Sequence, residues 1–177
     1  MKAFIFHLFI CSLFFITGCK KEGSGFGFNL KLEEEFVVNN GSPINLPFNL
    51  LLPDLETNSQ THFENNNTRA DYVTEIKLTQ LDLNIVDPPN QDFSFLKEIE
   101  IFISADGLDE TRLAFKKNIQ NSEKSLSLET EKTDFTEYIK QDQYSLRVRT
   151  VVKSTFNNSI KLKADILFRV RARLARS

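Results

Sequence analysis

The chain has 177 residues, with 22 Lys and Arg against 24 Asp and Glu and a formal net charge of −2. That length supports one domain behind a leader, and the charge balance argues against a nucleic-acid partner. Hydrophobic residues make up 41%, with 17 Phe but no Trp, so sugar stacking on aromatic platforms would rest on Tyr72, Tyr138 and Tyr144 alone.

Met1-Lys2 is a short basic start, and residues 3–16 form an apolar run broken by His7 and Ser12. The run is too short for a transmembrane span of roughly twenty residues and reads as a signal-peptide core. It closes Ile16-Thr17-Gly18-Cys19. An apolar residue, a small residue, Gly and Cys at this place resembles the lipobox of bacterial lipoproteins. The resemblance implies cleavage before Cys19, lipidation of its sulfur, and a membrane-lipid partner, with 1–18 the signal peptide and 19–27 a tether. It also implies a cell-envelope address, lipid-anchored to the outer membrane. Lys20-Lys21-Glu22 resembles the charged stretch that some Bacteroidota lipoproteins use for surface export, which leans the expectation toward the surface. Cys11 leaves with the signal and Cys19 is consumed, so the expected mature chain has no thiol or disulfide.

Residues 28–177 read as one domain. Phe28, Leu30, Leu32, Phe36 and Val38 alternate with polar positions, with Glu34 interrupting the apolar face once. This predicts a strand. A second strand, 44–52, has Pro43, Pro47 and Pro53 on or beside it and is expected at a sheet edge, because Pro donates nothing to a ladder. Residues 54–68 are polar and Asn-rich, long for a hairpin loop, and read either as a binding loop or, more plainly, as a solvated loop with one short strand at 61–63. A helical turn at 68–73, capped by Asn67 or Thr68, follows. Between 75 and 86 the apolar phase changes at Thr79-Gln80, which predicts a β-bulge.

Ile99, Ile101 and Ile103 mark a further strand. Shorter ones are expected at 112–116, burying Leu113 and Phe115, and at 124–130, burying Leu126 and Leu128. Asp134-Phe135-Thr136-Glu137 has capping-box spacing and predicts a helical turn. Two last strands alternate strongly: 144–152, and 160–174 with every even position apolar. Asn157-Asn158 between them suits a tight turn, so they are expected to pair as a hairpin. Fifteen residues at ~3.3 Å each exceed a usual strand, so the last is expected to bend, change sheets or project as an edge.

About seven to eight strands and no long helical period predict an antiparallel β-sandwich of immunoglobulin-like or Greek-key kind, with a closed barrel as runner-up. The short helix before Tyr144 resembles the E–F corner of such sandwiches. The whole chain resembles small uncharacterised Bacteroidota β-sandwich lipoproteins, a likeness that implies an address and a fold but no activity.

Catalytic signals are sparse. His62 is the one His after the signal, there is no G-x-S-x-G, and no Cys remains for a soft metal site. No cofactor or metal is expected. Carboxylate pairs Glu33/Glu35 and Glu98/Glu100 read as solvated outer faces, and Asp82, Asn84 and Asp87 as strand-exit polarity rather than a calcium site. A non-enzymatic binding or scaffolding protein is the expectation, a carboxylate hydrolase the distant alternative. The one candidate patch is basic. Arg147, Arg149, Arg169, Arg171 and Arg173 would share the hairpin's outer face, as an anion site for lipopolysaccharide or acidic glycan or as a surface balanced by acids such as Glu98, Glu100, Glu129 or Glu131.

Overall fold

The computed structural model describes residues 25–120 and 122–174. The signal peptide, Cys19 and most of the tether lie outside the described residues. Nine strands occur among those described: β1 (Gly25–Val38), β2 (Phe48–Glu56), β3 (Val73–Asp87), β4 (Leu96–Ala105), β5 (Leu108–Lys116), β6 (Ser125–Ser127), β7 (Glu129–Thr130), β8 (Gln143–Val152) and β9 (Ile160–Arg173). Two short helices, α1 (Ser59–Asn65) and α2 (Thr136–Ile139), interrupt them. The strands form two antiparallel sheets, ordered β1-β9-β3-β6 and β2-β8-β4-β5-β7. This is a β-sandwich, with free sheet edges rather than a closed barrel.

Alternation drives the architecture. Leu30, Leu32, Ile76, Leu81, Leu83, Leu162, Ile166 and Phe168 of the first sheet and Ile99, Ile101, Ile103, Leu146 and Val148 of the second are all buried in one core. Burying each such side chain contributes about 1.5–3 kcal/mol before the entropy of ordering is subtracted. Phe63, Phe93, Phe95, Phe135 and Phe168 are fully buried within it, so phenylalanine supplies the bulk that Trp would otherwise give.

The bulge lies where the phase slip placed it. The β3–β9 register jumps between Leu78 and Gln80, so that Ile76 and Leu78 face the core together with Leu81 and Leu83. Thr79, the residue left over, turns its hydroxyl to donate to the Leu167 carbonyl at 2.8 Å. β2 is an edge strand, and Pro53 falls in its own register break between Leu52 and Leu55, where a missing donor costs no ladder bond. This strand begins at Phe48, later than expected. Ile44 makes only an isolated bridge to Val152.

Five expectations are corrected. β8 and β9 do not form a hairpin: they lie in different sheets. Each has a buried face, and the 153–159 connection passes from one sheet to the other, so both faces reach the same core from opposite sides. β9 also neither bends away nor forms an edge. It is flanked by β1 over Gly25–Val38 and by β3 over Val73–Asp87, and two partners of matching length make a strand of this span stable. The 124–130 stretch changes sheet at Leu128, which is buried between β6 and β7. Residues 54–68 are not a solvated loop with a strand. They contain α1, whose Phe63 is buried and meets the Phe28 ring edge-on at 6.3 Å. The following turn, Ala70–Tyr72, is a 3-10 helix with Arg69 rather than Asn67 or Thr68 at its cap.

Candidate functional site

Alternation assigns every outward arginine to the outer face of its sheet, and the two sheets treat theirs differently. On β8, Arg147 and Arg149 are part-buried in a lattice. Arg147 lies 4.1 Å over the Phe102 ring, donates to Asn49 Oδ1 at 2.8 Å, and holds both carboxylate oxygens of Glu110. Arg149 donates to Glu100 Oε2 at 2.7 Å, and Arg112 donates to Glu100 Oε1 at 2.9 Å and to Glu131 Oε1 at 2.8 Å. Burial opposes ionisation of Glu100, but the bonds from Arg149 and Arg112 outweigh it and hold its carboxyl below the usual range. Glu100 is therefore not a solvated outer-face acid as expected: it is buried beneath two guanidiniums. Phe115, expected in the core, instead lies under Arg112 at 4.3 Å, because the β4–β5 register shift between Ile101 and Phe102 turns it outward.

β9 divides along its length. Lys161 pairs with Glu35, Lys163 with Glu33 at 2.7 Å, and Asp165 with Lys31 at 3.0 Å. Hydrogen bonds from Lys163 and then Lys31 lower the Glu33 carboxyl to about 2. Asp82 and Asn84 of β3 join this half, with Asn84 donating to Asp165 Oδ2 at 2.8 Å. Beyond Leu167 the pattern changes. Arg169 donates to the neutral Asn29 Oδ1 at 3.2 Å, and Arg173 reaches only the Asp71 carbonyl at 3.5 Å. Among the described residues neither has a carboxylate within ion-pair reach. Arg171 shares Glu75, at 3.4 Å, with Lys77, the register partner of Arg169. Lys77 and Arg171 thus share one carboxylate, and Arg169 and Arg173 beside them pair with none among the described residues.

The sheet makes room for this. Arg169 lies across from β1, where Gly27 has no side chain. A Cβ there would stand 2.9 Å from Arg169 Nη2 and 3.1 Å from the Val170 carbonyl. The five sequence-predicted arginines thus separate into a neutralised pair on one sheet and an exposed trio on the other. Lys77, which joins the trio, was missed because only strand register reveals the neighbour.

Other features are structural. Glu34, the break in the β1 apolar face, points inward and accepts from the Tyr144 hydroxyl at 2.7 Å, joining the two sheets. Tyr144 therefore bonds across the sandwich, unlike the corner it resembles, where the hydroxyl returns to nearby backbone. Burial raises the Glu34 carboxyl pKa despite that bond, and burial followed by Glu34 raises the phenol. A hollow of about 630 Å³ beside α1 is lined by Glu56, Asp106 and Asp142 with amides including Asn58, Gln60 and Gln141. His62 lies on α1, outside that lining. Among the described residues no three His, Cys, Asp or Glu side chains gather as a cation cage, and no helix is long and apolar enough to cross a membrane.

Comparison with protein-family models and with curated proteins finds no match for the chain.

Proposed function

We propose that the chain is a lipid-anchored cell-envelope protein of the outer membrane that works by binding or scaffolding, without an enzymatic step. The observation that carries this reading is the Ile16-Thr17-Gly18-Cys19 motif with β1 starting at Gly25, six residues after the Cys. Six residues reach about 20 Å at full extension, so an acylated Cys19 would hold the sandwich close to the bilayer. Two or more acyl chains anchor stably where one does not. Three of the four carboxylates that the sequence pairs for hydrolysis are engaged, Glu33 and Glu35 by lysines and Glu100 by arginines, and Glu98 has no ion-pair partner among the described residues. That favours a binding role over a catalytic one.

Cys19→Ala tests the anchor. The wild type should incorporate labelled fatty acid and stay with membranes after a high-salt wash, and the variant should lose both. Retained acyl labelling in the variant would refute the assignment. Crosslinking on intact cells then identifies the envelope partner.

A second reading is an anion-binding module. The trio Arg169, Arg171 and Arg173 favours it, because their charge is left largely unneutralised. Arg147 and Arg149, saturated by Glu110 and Glu100, fit a structural role better.

A further inference from the structure

We propose that the outer face of the first sheet, at its Arg169–Arg173 end, docks on the phosphates of anionic lipid headgroups in the bilayer that holds the anchor. The inference rests on the lipid-anchor reading above. Three observations carry it. The outer face of β9 is balanced along Lys161, Lys163 and Asp165 and becomes cationic only from Arg169 onward, where Lys77 and Arg171 share Glu75 and Arg169 and Arg173 bond only neutral oxygens. The cationic end is the end that meets the tether: Gly25, the first residue of β1, is the register partner of Arg173, and Gly27 that of Arg171. The guanidiniums are also accessible, since the Arg171 side chain is 69% exposed and Arg169 and Arg173 are exposed beside it on β9.

The chemistry follows from placement. A planar guanidinium presents paired donors that match phosphate oxygens. Attraction to an anionic surface fades within a Debye length, about 10 Å at 0.1 M salt. A cationic patch far from the tether would gain little from the membrane. One that adjoins Gly25 is brought to it by the chain itself. Docking would fix the domain's orientation, with the balanced half of the sheet and the 153–159 connection turned outward.

The test uses full-length protein purified from cell membranes, with Thr74→Cys beside Arg171 carrying a fluorophore. It is reconstituted into vesicles of phosphatidylcholine alone or mixed with phosphatidylglycerol, with a headgroup-level quencher. Quenching should be stronger in the anionic vesicles and fall to the phosphatidylcholine level in high salt. It should fall equally in Arg169→Glu/Arg171→Glu/Arg173→Glu, and in the milder triple Arg→Gln variant. Lys97→Glu, on the other sheet, should leave it unchanged. Equal quenching in both vesicle types, or indifference to the arginine variants, would overturn the proposal. So would stronger capture by a soluble acidic polysaccharide than by anionic vesicles. Mass analysis of the Cys19 peptide is read on the same sample. If it carries no acyl chain, the protein is mixed with preformed vesicles instead. Sedimentation with anionic vesicles about tenfold stronger than with phosphatidylcholine, and lost in the triple variants, would then sink the anchor alone and leave the docking face standing.

Discussion

Glu34 and Tyr144 are an ionisable pair that bridges the two sheets, and they separate two costs that are usually confounded. Burial disfavours the Glu34 carboxylate and the Tyr144 hydroxyl partly compensates it. With its folded pKa raised, Glu34 opposes folding where it is ionised and stops doing so once pH falls below its unfolded value, about 4.3. Glu34→Gln keeps an oxygen to accept from Tyr144 and removes the charge. It should be at least as stable as wild type at pH 7, with any gain vanishing below pH of about 4. Glu34→Ala instead leaves a buried hydroxyl without an acceptor and should cost about 1–3 kcal/mol. Urea unfolding of the three proteins at two pH values decides this. A Gln variant less stable than wild type at neutral pH would show that the charge stabilises the bridge.

At the scale of elements, the strands that read clearly are those with one buried face. β1, β3, β8 and β9 alternate because one side meets the core, and the slip at Thr79-Gln80 was visible because a bulge must restore the phase. Deleting Thr79 removes the leftover residue and joins Leu78 directly to Gln80, so the two keep their partners Phe168 and Leu167 and Ile76, Leu78, Leu81 and Leu83 stay on the core face in strict alternation. The variant gives up only the Thr79 hydroxyl bond to the Leu167 carbonyl, worth about 1 kcal/mol, and should keep a cooperative unfolding transition near the wild-type midpoint by circular dichroism. Loss of the cooperative transition would mean that the bulge itself, and not only the phase it restores, is needed for the fold. Partners, by contrast, are not encoded by alternation. The pattern of 144–152 and 160–174 is the same whether they pair in one sheet or face each other across two. The same ambiguity made five arginines look like one patch. α1 escaped notice because one buried apolar residue, Phe63, anchors it, and its seven residues are too few for a helical period. Phe63→Ala should cost about 3–5 kcal/mol and free the 54–68 segment to proteolysis. Unchanged protease resistance would place the anchoring elsewhere, at the buried Thr57, whose hydroxyl donates to the Gln141 carbonyl at 2.6 Å.

Across the whole molecule, both outer faces are held by carboxylates that folding makes more acidic. Glu33 on the first sheet is lowered to about 2 by Lys163 and Lys31, and Glu110 on the second is lowered chiefly by Arg147. Glu100 is lowered by its two arginines against the penalty of burial, and Asp134 is likewise lowered against burial by Thr136 and the Ile76 and Thr136 amides. A carboxylate with a depressed folded pKa contributes stability that is complete above its unfolded value. That contribution is lost as pH falls through the folded one. Stability should therefore decline between pH of about 4.5 and about 2, the span from the ordinary Glu value to that of Glu33. Glu33 is exposed, so solvent screening keeps its share small, and the buried Glu100 should dominate. Glu100→Gln should flatten the acid limb of the stability profile more than Glu33→Gln does, and should lower stability at pH 7 because Arg112 and Arg149 lose their shared charge. Denaturation midpoints measured from pH 7 to pH 2 for the three proteins provide the comparison. A Glu33→Gln profile flatter than that of Glu100→Gln would place the acid sensitivity on the first sheet, among the lysines of β9, rather than beneath the arginines of β8.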